Sequence, residues 1–128
     1  MSEPEGYSAR VRELFAAAPR AGAMPAGEGA VIVGEAEALE RGAWVRLEAR
    51  VVDGVVVMAR FRAWGCPHVL AACALAAERL EGRAPGQAPD LTAAALATAL
   101  DAPAGKLGRL LVVEDAVTAL AAAAPGRV

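Results

Sequence analysis

Apolar residues recur at helical spacing near the beginning of the chain and again after its midpoint. The first such pattern predicts a helix over residues 7–18, which Pro19 ends. The second predicts a helix over residues 69–82, closed by Gly82. The apolar stripe of this second helix consists of Val69, Ala72, Cys73, Ala76 and Leu80.

Two more helices are predicted in the last third of the chain. One covers residues 91–100, with Asp90 as its candidate N-cap, and must end before Pro103. The other runs from about Lys106 or Leu110 to residue 123. Its buried positions are expected to be Leu110, Val113, Val117 and Leu120.

The middle of the chain alternates apolar and polar residues, which is typical of strands. Residues 44–51 and 55–62 both show this period, and Asp53-Gly54 between them indicates a hairpin. A short apolar strand over residues 31–33 is expected to precede them. The segment 34–43 fits a strand extension, a turn or a helical turn equally well.

The register of the hairpin depends on the length of its loop. A three-residue loop over residues 52–54, with glycine in the left-handed position, aligns the apolar sets of both strands on one face. It also places Arg46 opposite Arg60 on the solvent face. The face expected to be buried consists of Val45, Leu47, Val55, Val57 and Phe61.

The order of these elements predicts an α+β fold. An N-terminal helix precedes a small antiparallel β-meander of two to three strands, and C-terminal helices pack on the sheet. A chain of 128 residues has the size of one domain, so residues 1–128 are expected to form a single unit.

Composition and charge exclude several classes of function. The net charge is −2 and no basic block occurs, so a nucleic-acid partner is not expected. No segment offers about 18 uninterrupted apolar residues, so no membrane association is expected either. We expect a cytoplasmic protein whose two cysteines are reduced thiols.

The candidate chemistry lies in the stretch Gly65-Cys66-Pro67-His68, where a strand gives way to a helix. Because proline suits the first helical position, Cys66 falls at the N-cap, where the helix dipole favours a thiolate. His68 is the single histidine of the chain and could add a second metal-binding group. The alternatives are a structural cysteine and a surface or capping histidine. Cys73, on an apolar stripe, is expected to be a core thiol.

Other site chemistries lack their residues. The chain contains no CxxC pair, no HExxH motif and no phosphate loop of the Walker type. A Cys–His hydrolase would need a third residue to orient the imidazole, and the sequence contains no asparagine for that role. The chain is therefore not expected to be an enzyme.

Three segments resemble the IscU/NifU-type iron–sulfur cluster scaffold proteins, of which the chain is identified as a divergent member. Residues 59–83 resemble the family's central segment, in which a strand leads into Gly-Cys and an alanine-rich helix follows. Residues 7–20 are similar to its first helix, and residues 106–123 to its last. The resemblance implies a NifU N-terminal-like domain over residues 1–128, with the fold shared by SufE and NifU proteins.

The ligand set implied by the family is incomplete here. The family assembles a [2Fe–2S] cluster with three cysteines and an aspartate, and Cys66 matches the middle cysteine. The first cysteine and the aspartate belong where this chain has Arg41-Gly42-Ala43, and the third cysteine belongs at Gly108-Arg109. If Arg41 and Arg109 lie near Cys66, they make its surroundings electropositive.

Three functions follow from the resemblance. The first is an iron–sulfur cluster assembly scaffold or carrier that binds iron or a [2Fe–2S] cluster through Cys66 and His68. Because a cluster needs about four ligands, a partner or second chain would supply the rest. The second is a SufE-like persulfide acceptor that uses the Cys66 thiol. The third is a non-catalytic interaction module. The expected partners are a cysteine desulfurase and iron–sulfur assembly proteins, and a homodimer is compatible with the first function.

Overall fold

The computed structural model describes residues 7–124 and has the predicted α+β fold. The described residues form a three-stranded antiparallel sheet and four α-helices, joined in part by 3₁₀ turns. In chain order the elements are α1 (Ala9–Ala17), β1 (Ala30–Ala38), β2 (Ala43–Val52), β3 (Val55–Trp64), α2 (Pro67–Leu80), α3 (Ala93–Leu100) and α4 (Leu107–Ala122).

The helices cover one face of the sheet. Helix α2 packs against β3, helix α4 packs against β1 and β2, and α1 lies against α2. The strand order is β1-β2-β3, so β2 is central, and its inward side chains are wholly buried at Val45, Leu47 and Ala49. Among residues 7–124, no helix is both long and apolar enough to span a membrane.

The hairpin register differs from the prediction. Val52 lies opposite Val55, so Asp53-Gly54 forms a two-residue turn, and a β-bulge between Arg50 and Val51 restores the alignment of the apolar faces. Leu47 then lies opposite Phe61. Arg46 lies opposite Arg62, whereas Arg60 had been expected there.

The bulge also changes which valines are buried. Val45, Leu47 and Phe61 are buried as predicted, but Val55 and Val57 are exposed and Val56 is buried in their place. Val57 is the extra residue of the bulge, so the alternation of faces is interrupted between the turn and the rest of β3.

The start of α3 also differs from the prediction. Its N-cap is Thr92, whose side chain accepts a hydrogen bond of 3.1 Å from the Ala95 amide. Asp90 instead binds the guanidinium of Arg83, with distances of 2.5 and 3.1 Å, and lies 3.3 Å from Arg79. The carboxylate of Asp90, which the sequence predicts as the N-cap of this helix, therefore binds Arg83 and Arg79 instead.

The ambiguous segment 34–43 divides between two structures. Strand β1 continues to Ala38, and a 3₁₀ turn at Leu39–Arg41 leads through Gly42 into β2. The closeness of β1 to helix α4 depends on Gly34, because a Cβ atom there would overlap the Ala116 carbonyl and lie 2.8 Å from Leu120 Cα.

The outer edge of β3 is covered by other parts of the chain. At Phe61 the amide donates to the Arg20 carbonyl (3.0 Å) and the carbonyl accepts from Gly22 (2.8 Å). Further along, the Glu81 carboxylate accepts a 2.9 Å hydrogen bond from the Ala59 amide. Glu81 also accepts from Arg20 at 2.8 Å, so one side chain ties the strand edge to the neighbouring segment.

Candidate functional site

Four parts of the fold meet at the end of the sheet where β3 finishes. Trp44 lies opposite Trp64, so the connection from β1 to β2 is at the same end as the beginning of α2. Arg41 in that connection lies against Gly108 in the first turn of α4, where a Cβ atom would overlap its guanidinium. Tyr7, just before α1, contacts the second residue of α2.

Cys66 caps the beginning of α2, as the sequence predicts. Its backbone is extended (φ −76°, ψ 169°), Pro67 begins the helix, and the Cys66 carbonyl accepts from Val69 (3.0 Å) and Leu70 (3.3 Å). The thiol makes no capping hydrogen bond and is partly exposed. The local signals Gly65 and Pro67 therefore place a thiol that is free to react at the positive end of a helix dipole.

His68 is buried, which the sequence did not indicate. Only 1% of the residue is accessible, and the centre of its ring lies 4.9 Å from the centre of the Tyr7 ring. Neither Nδ1 nor Nε2 has a hydrogen-bond partner among residues 7–124. Burial, followed by the charges of Lys106 and Arg109, holds the pKa of His68 below its ordinary value. The imidazole is therefore neutral at pH 7, which is the form that can bind a metal ion.

Three cations, Arg41, Lys106 and Arg109, lie around the first turn of α4. Arg109 Nε donates a 3.2 Å hydrogen bond to the Arg41 carbonyl, which joins the first turn of α4 to the β1–β2 connection. Lys106 and Arg109 are close enough to His68 for their charges to act on it. The sequence predicts electropositive surroundings for Cys66 if Arg41 and Arg109 lie near it. The structure brings these two residues into contact with each other, and their effect on the thiol stays a prediction.

Cys73 takes no part in this site. It is wholly buried in the hydrophobic core, and burial strongly raises the pKa of its thiol. This agrees with the predicted core thiol. Among residues 7–124, no group of three or more histidine, cysteine, aspartate or glutamate side chains could hold a metal ion.

Comparison with known families identifies the fold. The family described as the NifU-like N terminal domain matches residues 6–127. The chain belongs to this family. No curated protein was found to match the chain.

Solved structures agree with the family assignment. A crystal structure of a nitrogen-fixing NifU-like protein (N-terminal) from Brucella abortus is 17% identical, with a TM-score of 0.59 over 91% of this chain and 90% of that one. A putative iron–sulfur cluster assembly scaffold protein for the SUF system from Fervidobacterium islandicum AW-1 is 18% identical, with a TM-score of 0.58 over 88% of this chain and 82% of that one. At these identities the likeness establishes the fold.

The donor set of this family member is small. Cys66 offers a thiol and His68 offers a neutral imidazole whose nitrogens lack partners, and both are suitable ligands for iron. The two residues would make half of the usual four ligands if both bound iron, and the charged groups that act on His68 are the cations Lys106 and Arg109. A complete cluster site does not exist within residues 7–124, so further ligands would have to come from outside this part of the chain.

Proposed function

We propose that this protein acts in iron–sulfur cluster assembly, as a carrier that shares its cluster with a partner or a second copy. The observation that carries the proposal is the arrangement at the start of α2, where the thiol of Cys66 and the unpartnered imidazole of His68 lie two residues apart. The family to which the chain belongs supports it, as does the likeness to a putative cluster assembly scaffold. In this role the protein presents its cargo and is not an enzyme.

The positive charges at the site should favour binding of an assembled cluster over binding of a free ferrous ion. A bare ferrous ion would be repelled by Lys106, Arg109 and Arg41, and within residues 7–124 the proposed site offers it only two ligands. With Cys66 and His68 from each of two copies, an oxidised [2Fe–2S] cluster would be neutral, whereas with the remaining ligands supplied as thiolates by a partner it would carry net negative charge, which these cations would stabilise. We therefore propose that the cargo is an assembled [2Fe–2S] cluster with ligands from two chains, and that ferrous iron alone binds weakly.

Anaerobic reconstitution tests this proposal. The protein is incubated with iron and sulfide, alone and with a cysteine desulfurase, and iron and sulfide are counted in each size-separated species. Cluster should appear only in species larger than the apoprotein. Cys66→Ser should abolish it, and His68→Ala should remove most of it. Cys73→Ala is the matched control and should retain the cluster.

Two results of the reconstitution would contradict the proposal. A cluster bound to single chains would mean that the missing ligands come from within the protein. Retention of the cluster by Cys66→Ser would remove the residue on which the proposal depends.

A second candidate function is supported by the same cations. A persulfide on Cys66 would be an anion, and Lys106, Arg109 and Arg41 would stabilise it without any metal. This is the persulfide acceptor that the single accessible thiol, the partly exposed Cys66, suggests. Incubation with cysteine and a cysteine desulfurase should add one sulfur atom to the peptide that contains Cys66, as measured by mass spectrometry. Transfer of sulfur without any cluster formation would favour this function over the first.

A further inference from the structure

We propose that the Cys66 end of the molecule accepts sulfur directly from a small sulfur dianion of the thiosulfate class. The reaction is stoichiometric, with one sulfur atom per chain. The inference rests on the second candidate function, with which it shares the reactive thiol of Cys66, the persulfide product and the stabilising cations. It differs in naming a low-molecular-weight donor that needs no protein partner.

The first observation is that the cations at this end are not neutralised. Arg41, Lys106 and Arg109 form no ion pair with any residue in the range 7–124. Several arginines elsewhere are paired, as Arg20 is with Glu81 and Arg83 is with Asp90, whereas the side chains of Arg50 and Arg60 donate to backbone carbonyl oxygens. A protein with a net charge of −2 therefore keeps a group of positive charges without ion pairs around the first turn of α4, at the end of the sheet where Cys66 begins α2.

The second observation is the buried histidine whose ring packs against Tyr7. A buried polar atom without a hydrogen bond is costly, and both ring nitrogens of His68 lack one within the described residues. Lys106 and Arg109 act electrostatically on the ring, so an oxyanion bound to these cations would lie close to it. A neutral imidazole has one N–H to donate, and a sulfonate oxygen can accept it.

The chemistry explains why free cations are needed. The Cys66 thiolate attacks the outer sulfur of thiosulfate, a sulfur–sulfur bond to Cys66 forms, and the sulfur–sulfur bond of the donor breaks. The electron pair of the broken bond leaves with sulfite, so the thiolate and thiosulfate become a persulfide anion and sulfite. Since a monoanion must approach a dianion, the step is repulsive in water. Three nearby cations reduce this repulsion and stabilise the departing sulfite.

Release of sulfite tests the reaction. The full chain is mixed with thiosulfate under anaerobic conditions, and sulfite and protein mass are measured in the same samples. One sulfite per chain should appear together with one added sulfur atom on the Cys66 peptide. Cys73→Ala should behave as the wild type. Equal sulfite release from wild type and Cys66→Ser would overturn the proposal, as would the absence of release from both.

A pair of alkylating reagents tests the anion preference separately. Iodoacetate is an anion and iodoacetamide is neutral, so the ratio of their rates at Cys66 measures the local field. Replacing Lys106 and Arg109 by glutamine should lower this ratio by about tenfold, because the field of clustered cations raises the local concentration of anions. Arg79→Gln, at the other end of α2, is the matched control and should leave it unchanged.

The salt dependence of these rates in the wild-type protein tests the same anion preference without any variant. Added salt should slow iodoacetate and thiosulfate while leaving iodoacetamide unaffected, because ions screen only the charged reagents. A rate ratio that neither salt nor the glutamine replacements change would overturn the proposal. Reconstitution measures iron, whereas this reaction measures sulfite, so either proposal can fail while the other stands.

Discussion

The two cysteines differ in their access to solvent, and this difference predicts their reactivity. Cys66 is partly exposed at the start of α2, whereas Cys73 is wholly buried and burial raises the pKa of its thiol. Cys73 can react only when the core opens, so we expect iodoacetamide at pH 7 to label it at least about a hundredfold more slowly than Cys66. Timed alkylation followed by peptide mass spectrometry measures both rates. Equal rates would contradict the structure.

His68 predicts a loss of stability on mild acidification. Its pKa is lowered in the folded protein, first by burial and then by Lys106 and Arg109. The unfolded chain therefore binds the proton more tightly, and stability is lost as the pH falls below the ordinary histidine pKa of about 6.5. We expect Tm to fall between pH 7 and pH 5, and to fall less in His68→Leu. A pH dependence that is the same in both proteins would contradict the assigned environment of the ring.

The sequence could predict one half of the candidate site but not the other. The position of Cys66 depends on its neighbours Gly65 and Pro67, and such local signals can be interpreted from the chain alone. The burial of His68 depends on Tyr7, which is brought over the ring by the packing of α1 on α2. No spacing pattern connects residues so far apart in the chain, so the histidine could only be expected as a candidate ligand.

At the scale of elements, Gly34 controls how closely strand β1 approaches helix α4. A Cβ atom there would overlap backbone atoms of the helix, which cannot move aside as the end of a flexible side chain would. We expect Gly34→Ala to lower the free energy of unfolding by about 3 kcal/mol or more, near the upper range for overpacking. Urea denaturation followed by circular dichroism measures the change.

Gly105→Ala is the matched control for this prediction. A Cβ atom at Gly105 meets no atom within 4 Å, so its effect should stay within about 0.5 kcal/mol. If the two alanine variants were equally stable, the close contact between β1 and α4 would not exist in solution.

The strands could be predicted from the sequence pattern, whereas the bulge and one helix cap could not. The period of two in β2 and β3 predicted both strands and the turn between them, because it reflects burial of one face. The bulge at Val57 could not be predicted, since a run of three valines alternates equally well in either phase. The cap at Thr92 was missed for a similar reason, because Asp90 and Thr92 are both good caps and only the tertiary contact with Arg83 decides between them.

At the scale of the whole molecule, the outer edge of β3 is covered by other parts of the same chain, and we expect this cover to prevent the edge from pairing with a second molecule. An open strand edge can pair with another chain through its free backbone amides. Here the Glu81 carboxylate accepts a hydrogen bond from the Ala59 amide and another from Arg20. Burial alone raises the pKa of Glu81, but the bonds from Arg20 and Ala59 and the charges of Arg20 and Arg60 outweigh it and lower the pKa. The carboxylate is therefore ionised near neutral pH, as this double role requires.

Glu81→Met removes both interactions and predicts two effects. The variant should lose about 1–3 kcal/mol of stability, because the Ala59 amide and the Arg20 guanidinium are left without their acceptor. It should also form concentration-dependent oligomers in size-exclusion chromatography, because the edge amide becomes available to a second chain. Glu81→Gln keeps a carbonyl acceptor for Ala59 and loses only the ionic part of the Arg20 contact, so it should be destabilised less and should not associate.

Because the folded pKa of Glu81 is lowered, the wild type should lose the same stabilisation as the pH falls below the ordinary glutamate pKa of about 4.3. Association of Glu81→Gln as strong as that of Glu81→Met would mean that the charge of this carboxylate, and not its cover of the strand edge, keeps the chains apart.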